Sequence, residues 1–214
     1  MIPASLAADL FNRTLECDRG WFLMANHQLR ACEILFDAWW HAKRRFDVSV
    51  EGGQVDFTSP SDIQLGYTTM LYPQISLLAG LAMENFLKGI WVLKNPLDLN
   101  VIDQLPKVLK THDVLFLAET VGLSLTKEEK LCLKHLSQMS KWQGKYQIPL
   151  SQRENVQTHR EGVTPTFMLS KYDRNSESPA FPDEFALLVQ KIDQMAELLR
   201  KQRQPECERD RLDD

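Results

Sequence analysis

Glu84 and Lys88 stand four residues apart in Ala82-Met83-Glu84-Asn85-Phe86-Leu87-Lys88, glutamate first, the better order for an ion pair along a helix. Leu81, Ala82, Phe86, Leu87 and Ile90 surround them, so the Glu84 carboxylate is expected to be partly buried. A buried carboxylate needs a partner, which Lys88, His112 or Tyr146 could supply. Glu84, Lys88 and His112 are accordingly read as a polar clasp between helices. A second group of chemically able residues lies further on. Between Lys141 and Arg174 six cations (Lys141, Lys145, Arg153, Arg160, Lys171, Arg174) face only Glu154, Glu161 and Asp173, with Tyr146, Phe167 and Tyr172 among them. Positive charge with interleaved aromatics suits single-stranded nucleic acid, by phosphate attraction and base stacking, although a solvated loop reads the same way. Lys141, Lys145, Tyr146 and Arg160 are the candidate substrate-binding residues.

The elements that position these residues are helical. Phe22, Ala25, Leu29, Cys32, Phe36 and Trp39 alternate spacings of three and four, which predicts a long helix from about Trp21 to Phe46. A shorter helix over about Ala4 to Glu16 precedes it, with a break near Asp18-Arg19-Gly20. Val48 and Val50, then Gly52-Gly53, then Val55 and Phe57 change the period to two, which predicts a small β-hairpin near 47–58. A second long helix should run from about Asp62 to Lys94, kinked or divided at Pro73 and stopped by Asn95-Pro96. Thr111 is placed as the N-cap of a short helix ending at Gly122, with His112 at its first position. Thr126 and Glu129 have capping-box spacing ahead of Leu131, Leu133, Leu136 and Met139. Residues 147–182 form a long polar loop. A last helix should cover about Asp183 to Arg203, with Phe185, Leu188, Ile192, Met195 and Leu199 on one stripe, and a disordered tail over 205–214.

Composition bounds the function. A chain of 214 residues that is 43% hydrophobic suits one substantial domain, taken here as 1–204. Its net charge of −4 gives no global field to recruit nucleic acid, so any RNA contact has to come from a local basic patch. Cys17, Cys32, Cys132 and Cys207 lie far apart without metal or disulfide spacing and read as reduced thiols, and no secretory leader is seen, so a cytoplasmic protein is expected. The apolar run from Ile75 to Leu93 nearly suffices to cross a bilayer, but Glu84, Asn85 and Lys88 in its middle favour a buried central helix and no membrane. No metal motif, Walker loop, GxSxG or dinucleotide-binding glycine pattern is present, so no cofactor or metal is expected.

The order of the Glu84 segment, Thr111-His112-Asp113-Val114-Leu115 and Trp142-Gln143-Gly144-Lys145-Tyr146 resembles the HEPN superfamily, over about Leu71 to Tyr146. Val114 stands where that family's His-Asp step continues with leucine. Lys145 stands where arginine is expected, and Gln147-Ile148 separates Tyr146 from Pro149. The resemblance implies an all-α, up-down helical bundle. Active members use Arg, four to six residues, then His, and Arg153-Glu-Asn-Val-Gln-Thr-His159 has that spacing. With twelve arginines and five histidines, chance alone yields about one such match. The implied chemistry is metal-independent RNA cleavage by the 2′-hydroxyl, His159 moving the proton and Arg153 stabilising the charged phosphorus centre. The implied assembly is a homodimer whose motifs meet across a groove.

Three functions stay open on this reading. One is an RNA-related protein, a candidate endoribonuclease of a toxin or defence system with a cognate antitoxin or partner protein. Another is a non-catalytic helical module for dimerisation or protein interaction. The third is a nucleotide- or small-molecule-binding bundle.

Overall fold

Seven helices are described, and the third-longest, which carries Glu84, is the one that four of the others pack on. The computed structural model describes residues 18–53, 59–69, 71–96, 106–140 and 183–209. The helices are α1 (Asp18–Glu51), α2 (Pro60–Thr69), α3 (Tyr72–Lys94), α4 (Lys107–Lys110), α5 (Val114–Thr120), α6 (Lys127–Gln138) and α7 (Asp183–Arg209). There are no strands among the described residues, and the fold is all-α. Helix α3 packs against α1, α5, α6 and α7, while α6 also meets α5 and α7.

Burial follows the apolar periodicity. Ile75, Ala79, Met83, Phe86, Leu87 and Ile90 of α3 are fully enclosed. They meet Phe22, Ala25, Cys32, Phe36 and Trp39 from α1, Leu117 and Ala118 from α5, Leu133 and Leu136 from α6, and Phe185, Leu188 and Ile192 from α7. The Phe22 and Phe86 rings lie 5.9 Å apart between centroids. Helix α3 is long and apolar enough to cross a membrane by length and composition, and its apolar surface is covered by the other helices. At Gly80 a Cβ would collide with Ser140 Oγ and lie 2.9 Å from the Leu136 carbonyl oxygen, so the missing side chain sets how closely α3 and α6 approach.

Element boundaries follow local chemistry. Helices α2 and α3 divide as Pro73 requires, because its ring clashes with the carbonyl four residues back, at Thr69, where α2 ends. Asn95 closes α3, its backbone and side-chain amides both donating to the Trp91 carbonyl at 2.9 Å. The Thr126–Glu129 capping box is formed in both directions, at 3.2 and 2.8 Å. At the end of α5, Leu123 N donates to Ala118 O and Gly122 N to Glu119 O, with Gly122 at φ +76°, a Schellman ending.

Four expectations change. The first arm of the anticipated hairpin is helical: α1 runs through Val48 and Val50 to Glu51, and 54–58 lie outside the described residues. Once a long helix is nucleated each further residue adds a backbone bond, so β-branched Val48 and Val50 extend it while remaining exposed. Gly52-Gly53, with Gly53 at φ +64°, ends a helix here, Gly52 N donating to Val48 O. Asp18, Arg19 and Gly20, near which a break was expected, are themselves helical; the residues ahead of them, with the helix expected over 4–16, lie outside the described residues. Asp113, not Thr111, caps α5, because its carboxylate reaches Phe116 N at 3.0 Å; Thr111 Oγ1 instead accepts from Asp113 N. Helix α7 runs past Arg203, where it was expected to end, through Pro205 to Arg209. Residues 210–214 and the 147–182 loop lie outside the described residues.

One buried group gives the fold a pH dependence. His135 on α6 is fully buried, with Nε2 3.3 Å from the Tyr72 hydroxyl and no partner for Nδ1 among the described residues. Burial pushes its pKa from 6.5 down to about 4. The unfolded chain therefore takes up this proton first as pH falls, and stability present above pH 6.5 is lost on the way down to about 4. The expected contribution is about 2 kcal/mol between pH 7.5 and pH 5. Urea unfolding of the parent and of His135→Gln at both pH values measures it: the parent should lose that much more stability than the variant, whereas parallel losses would contradict the assignment.

Candidate functional site

Three buried polar side chains, Glu84, Lys88 and Ser137, gather where α5 meets α3 and α6. Glu84 lies midway along α3 with its side chain 6% exposed, and Lys88, one turn later, is 5% exposed. Lys88 Nζ donates to Glu84 Oε1 at 2.6 Å. His112, two residues ahead of α5, places Nδ1 at 3.1 and 3.0 Å from the two Glu84 carboxylate oxygens. The Lys88 ammonium also lies 5.8 Å from the centroid of the Trp21 ring on α1, within cation–π range. Asn85 adds a second polar link to α1, donating to Gln28 Oε1 at 2.7 Å. A chain of polar contacts thus runs from α1 through α3 to the start of α5.

The segment carrying His112 is held from its other side. Ser137 Oγ on α6 accepts from Val114 N at 2.9 Å and Leu115 N at 3.3 Å, and donates to Leu133 O at 2.9 Å. Asp113 takes Phe116 N by its side chain and Leu117 N by its carbonyl. The first four amides of α5 are thereby all satisfied within the protein, leaving no donor there for an outside anion. At the far end of α6, Glu129 accepts from Lys191 Nζ of α7 at 2.7 and 2.8 Å, and Lys191 also reaches the Ser124 carbonyl.

Of the residues singled out by sequence, the structure brings together Glu84, Lys88 and His112. Lys141, Lys145, Tyr146, Arg153, His159 and Arg160 lie outside the described residues, and so does Tyr146 as a partner for Glu84. Sequence reasoning missed Trp21, Asp113, Ser137 and the Glu129–Lys191 pair. Only Asp113 carried a signal, being an N-cap residue type just ahead of Val114. Among the described residues no three His, Cys, Asp or Glu side chains gather as metal ligands. Cys32 is no nucleophile: burial chiefly, then the Glu33 charge, pushes its thiol up to about 12, and it donates to the Ile75 carbonyl.

Chemically, the arrangement orients an imidazole. A carboxylate only accepts hydrogen bonds, so the facing Nδ1 is the donor and Nε2 of a neutral ring keeps its lone pair. Half of the His112 side chain is exposed (51%), and Nε2 has no partner among the described residues. Comparison of the chain with protein-family models, curated proteins and solved structures finds no match.

The clasp makes a stability prediction. Removing one member of a buried ion pair strands the other charge and costs about 3–5 kcal/mol, whereas replacing both with apolar residues is often neutral or better. Glu84→Leu should therefore lower the unfolding free energy by about that much, and Glu84→Leu with Lys88→Leu should recover most of it. Denaturant unfolding reads both; a double variant as unstable as the single one would show that the pair is not the coupled unit.

Proposed function

We propose that this chain is a HEPN-like helical domain with an RNA-related role, and a candidate metal-independent endoribonuclease of a toxin or defence system. The observation that carries the reading is the Glu84–Lys88–His112 clasp. The three residues at the heart of two of the family-like segments meet as a buried carboxylate, its helical cation and a half-exposed histidine. The basic and aromatic segment that follows α6 adds Lys141, Lys145, Tyr146 and Arg160 as RNA contacts. On this reading Arg153 stabilises charge on phosphorus and His159 transfers the proton, across the groove of a cytoplasmic homodimer that a cognate antitoxin or other partner protein restrains.

A non-catalytic dimerisation or interaction module is the second reading. It is favoured by Leu23, Ile34 and Val48, which fall on one line of α1 and are 58%, 57% and 66% exposed.

The two readings part on turnover. Single-stranded RNA incubated with the full chain in EDTA should be cut, and Arg153→Ala or His159→Ala should slow cutting by at least about a hundredfold. Parent and variants that are equally inert, or equally active, would refute the nuclease and leave the interaction module.

A further inference from the structure

We infer that His112 presents Nε2, held outward by buried Glu84, as a hydrogen-bond acceptor for the ribose 2′-hydroxyl of bound RNA. The inference rests on the RNA reading above and adds to it a residue that distinguishes RNA from DNA.

The polarity of the ring decides the class of ligand. Nδ1 points at both Glu84 oxygens, at 3.1 and 3.0 Å, and must donate there. In the neutral ring Nε2 is then an acceptor, and it takes a donor, not another acceptor. A phosphate oxygen is the wrong partner for that lone pair, and the carboxylate behind the ring further disfavours an anion in front of it. A hydroxyl is the right one. Along an RNA strand the 2′-hydroxyl is the donor present at every nucleotide, and it is what DNA lacks.

The ring is also pre-positioned. Glu84 is fixed by Lys88 at 2.6 Å and by its burial, and the backbone around His112 is fixed by Thr111 Oγ1 on Asp113 N and by Ser137 on the next two amides. An acceptor held in one direction before binding loses little entropy on meeting its ligand. A purely structural clasp needs only Nδ1; the outward nitrogen and the 51% exposure of the side chain are what the ribose contact uses.

One substitution separates the nitrogens. In His112→Asn the amide nitrogen takes the place of Nδ1 and keeps a donor on Glu84, while nothing replaces Nε2. The experiment uses the full chain carrying His159→Ala, so that RNA is not consumed, and fluorescence anisotropy with labelled single-stranded RNA and DNA of the same sequence. RNA should bind about tenfold more tightly than DNA, the worth of one good hydrogen bond. Adding His112→Asn should bring RNA down to the DNA level, with DNA affinity and thermal midpoint unchanged. A preference that survives His112→Asn, or RNA and DNA weakened alike, would overturn the ribose contact while leaving the RNA reading standing. Binding of neither strand would overturn the RNA reading, and the ribose assignment with it. The ring geometry has its own readout in the ¹⁵N spectrum of the imidazole: an Nδ1–H tautomer is expected at His112, which Glu84→Gln should depopulate, and an Nε2–H tautomer in the parent would overturn the inference.

Discussion

A carboxylate inside a helix that is apolar on nearly every side has to be neutralised, and the bundle is organised around how Glu84 meets that need. Lys88 supplies the charge from the next turn of the same helix, at no cost in long-range chain closure. His112 supplies the second contact from a different part of the chain and thereby fixes where α5 docks. Glu84 and Lys88 are both almost fully enclosed, so each is costly without the other; the pair specifies an arrangement more than it adds stability. Trp21 beside Lys88 carries the same constraint across to α1.

Around that centre the polar links are local and complete. Helix α5 has only seven residues and would not persist alone. It is held by Asp113 at its cap, Ser137 from α6, a glycine-terminated end and the His112 contact to α3. Helix α7 returns to the bundle by its apolar stripe and by Lys191 on Glu129, which joins it to the capping box of α6. Helices α1, α5 and α7 thus each meet α3 or α6 by an apolar face and by a named polar contact. The histidine ring sits where α3 and α5 converge, with one nitrogen used by the fold and the other turned outward.

What the sequence disclosed depended on how local the physics was. The limits of α3 at Pro73 and Asn95-Pro96, the capping box at Thr126 and the buried stripes of α1 and α7 depend on residues within one or two turns, and these were legible. The Glu84–Lys88 pair was legible for the same reason, and His112 was one of three partners the sequence offered to a buried carboxylate. Val48 and Val50 misled because their alternation mimics a strand, although both lie on an exposed helix end where packing does not select between the two. Thr111 and Asp113 are both good caps, and only the reach of Asp113 to Phe116 N distinguishes them. Trp21 on Lys88, Ser137 on Val114 and Lys191 on Glu129 join residues far apart in the chain, with no local signature. Arg153 and His159 were legible as a spacing, and their placement lies outside the described residues.

The central claim is that the Glu84 carboxylate holds α5 against α3. Amide hydrogen exchange on the full chain tests it directly, comparing the parent with Glu84→Gln, which keeps the shape and removes the charge. If the account is right, Leu117, Ala118 and their neighbours in α5 should exchange faster by about two orders of magnitude, the equivalent of a few kcal/mol of local opening, with a smaller change in α1. Protection in α5 that is unchanged, or lost in equal measure throughout the bundle, would contradict it.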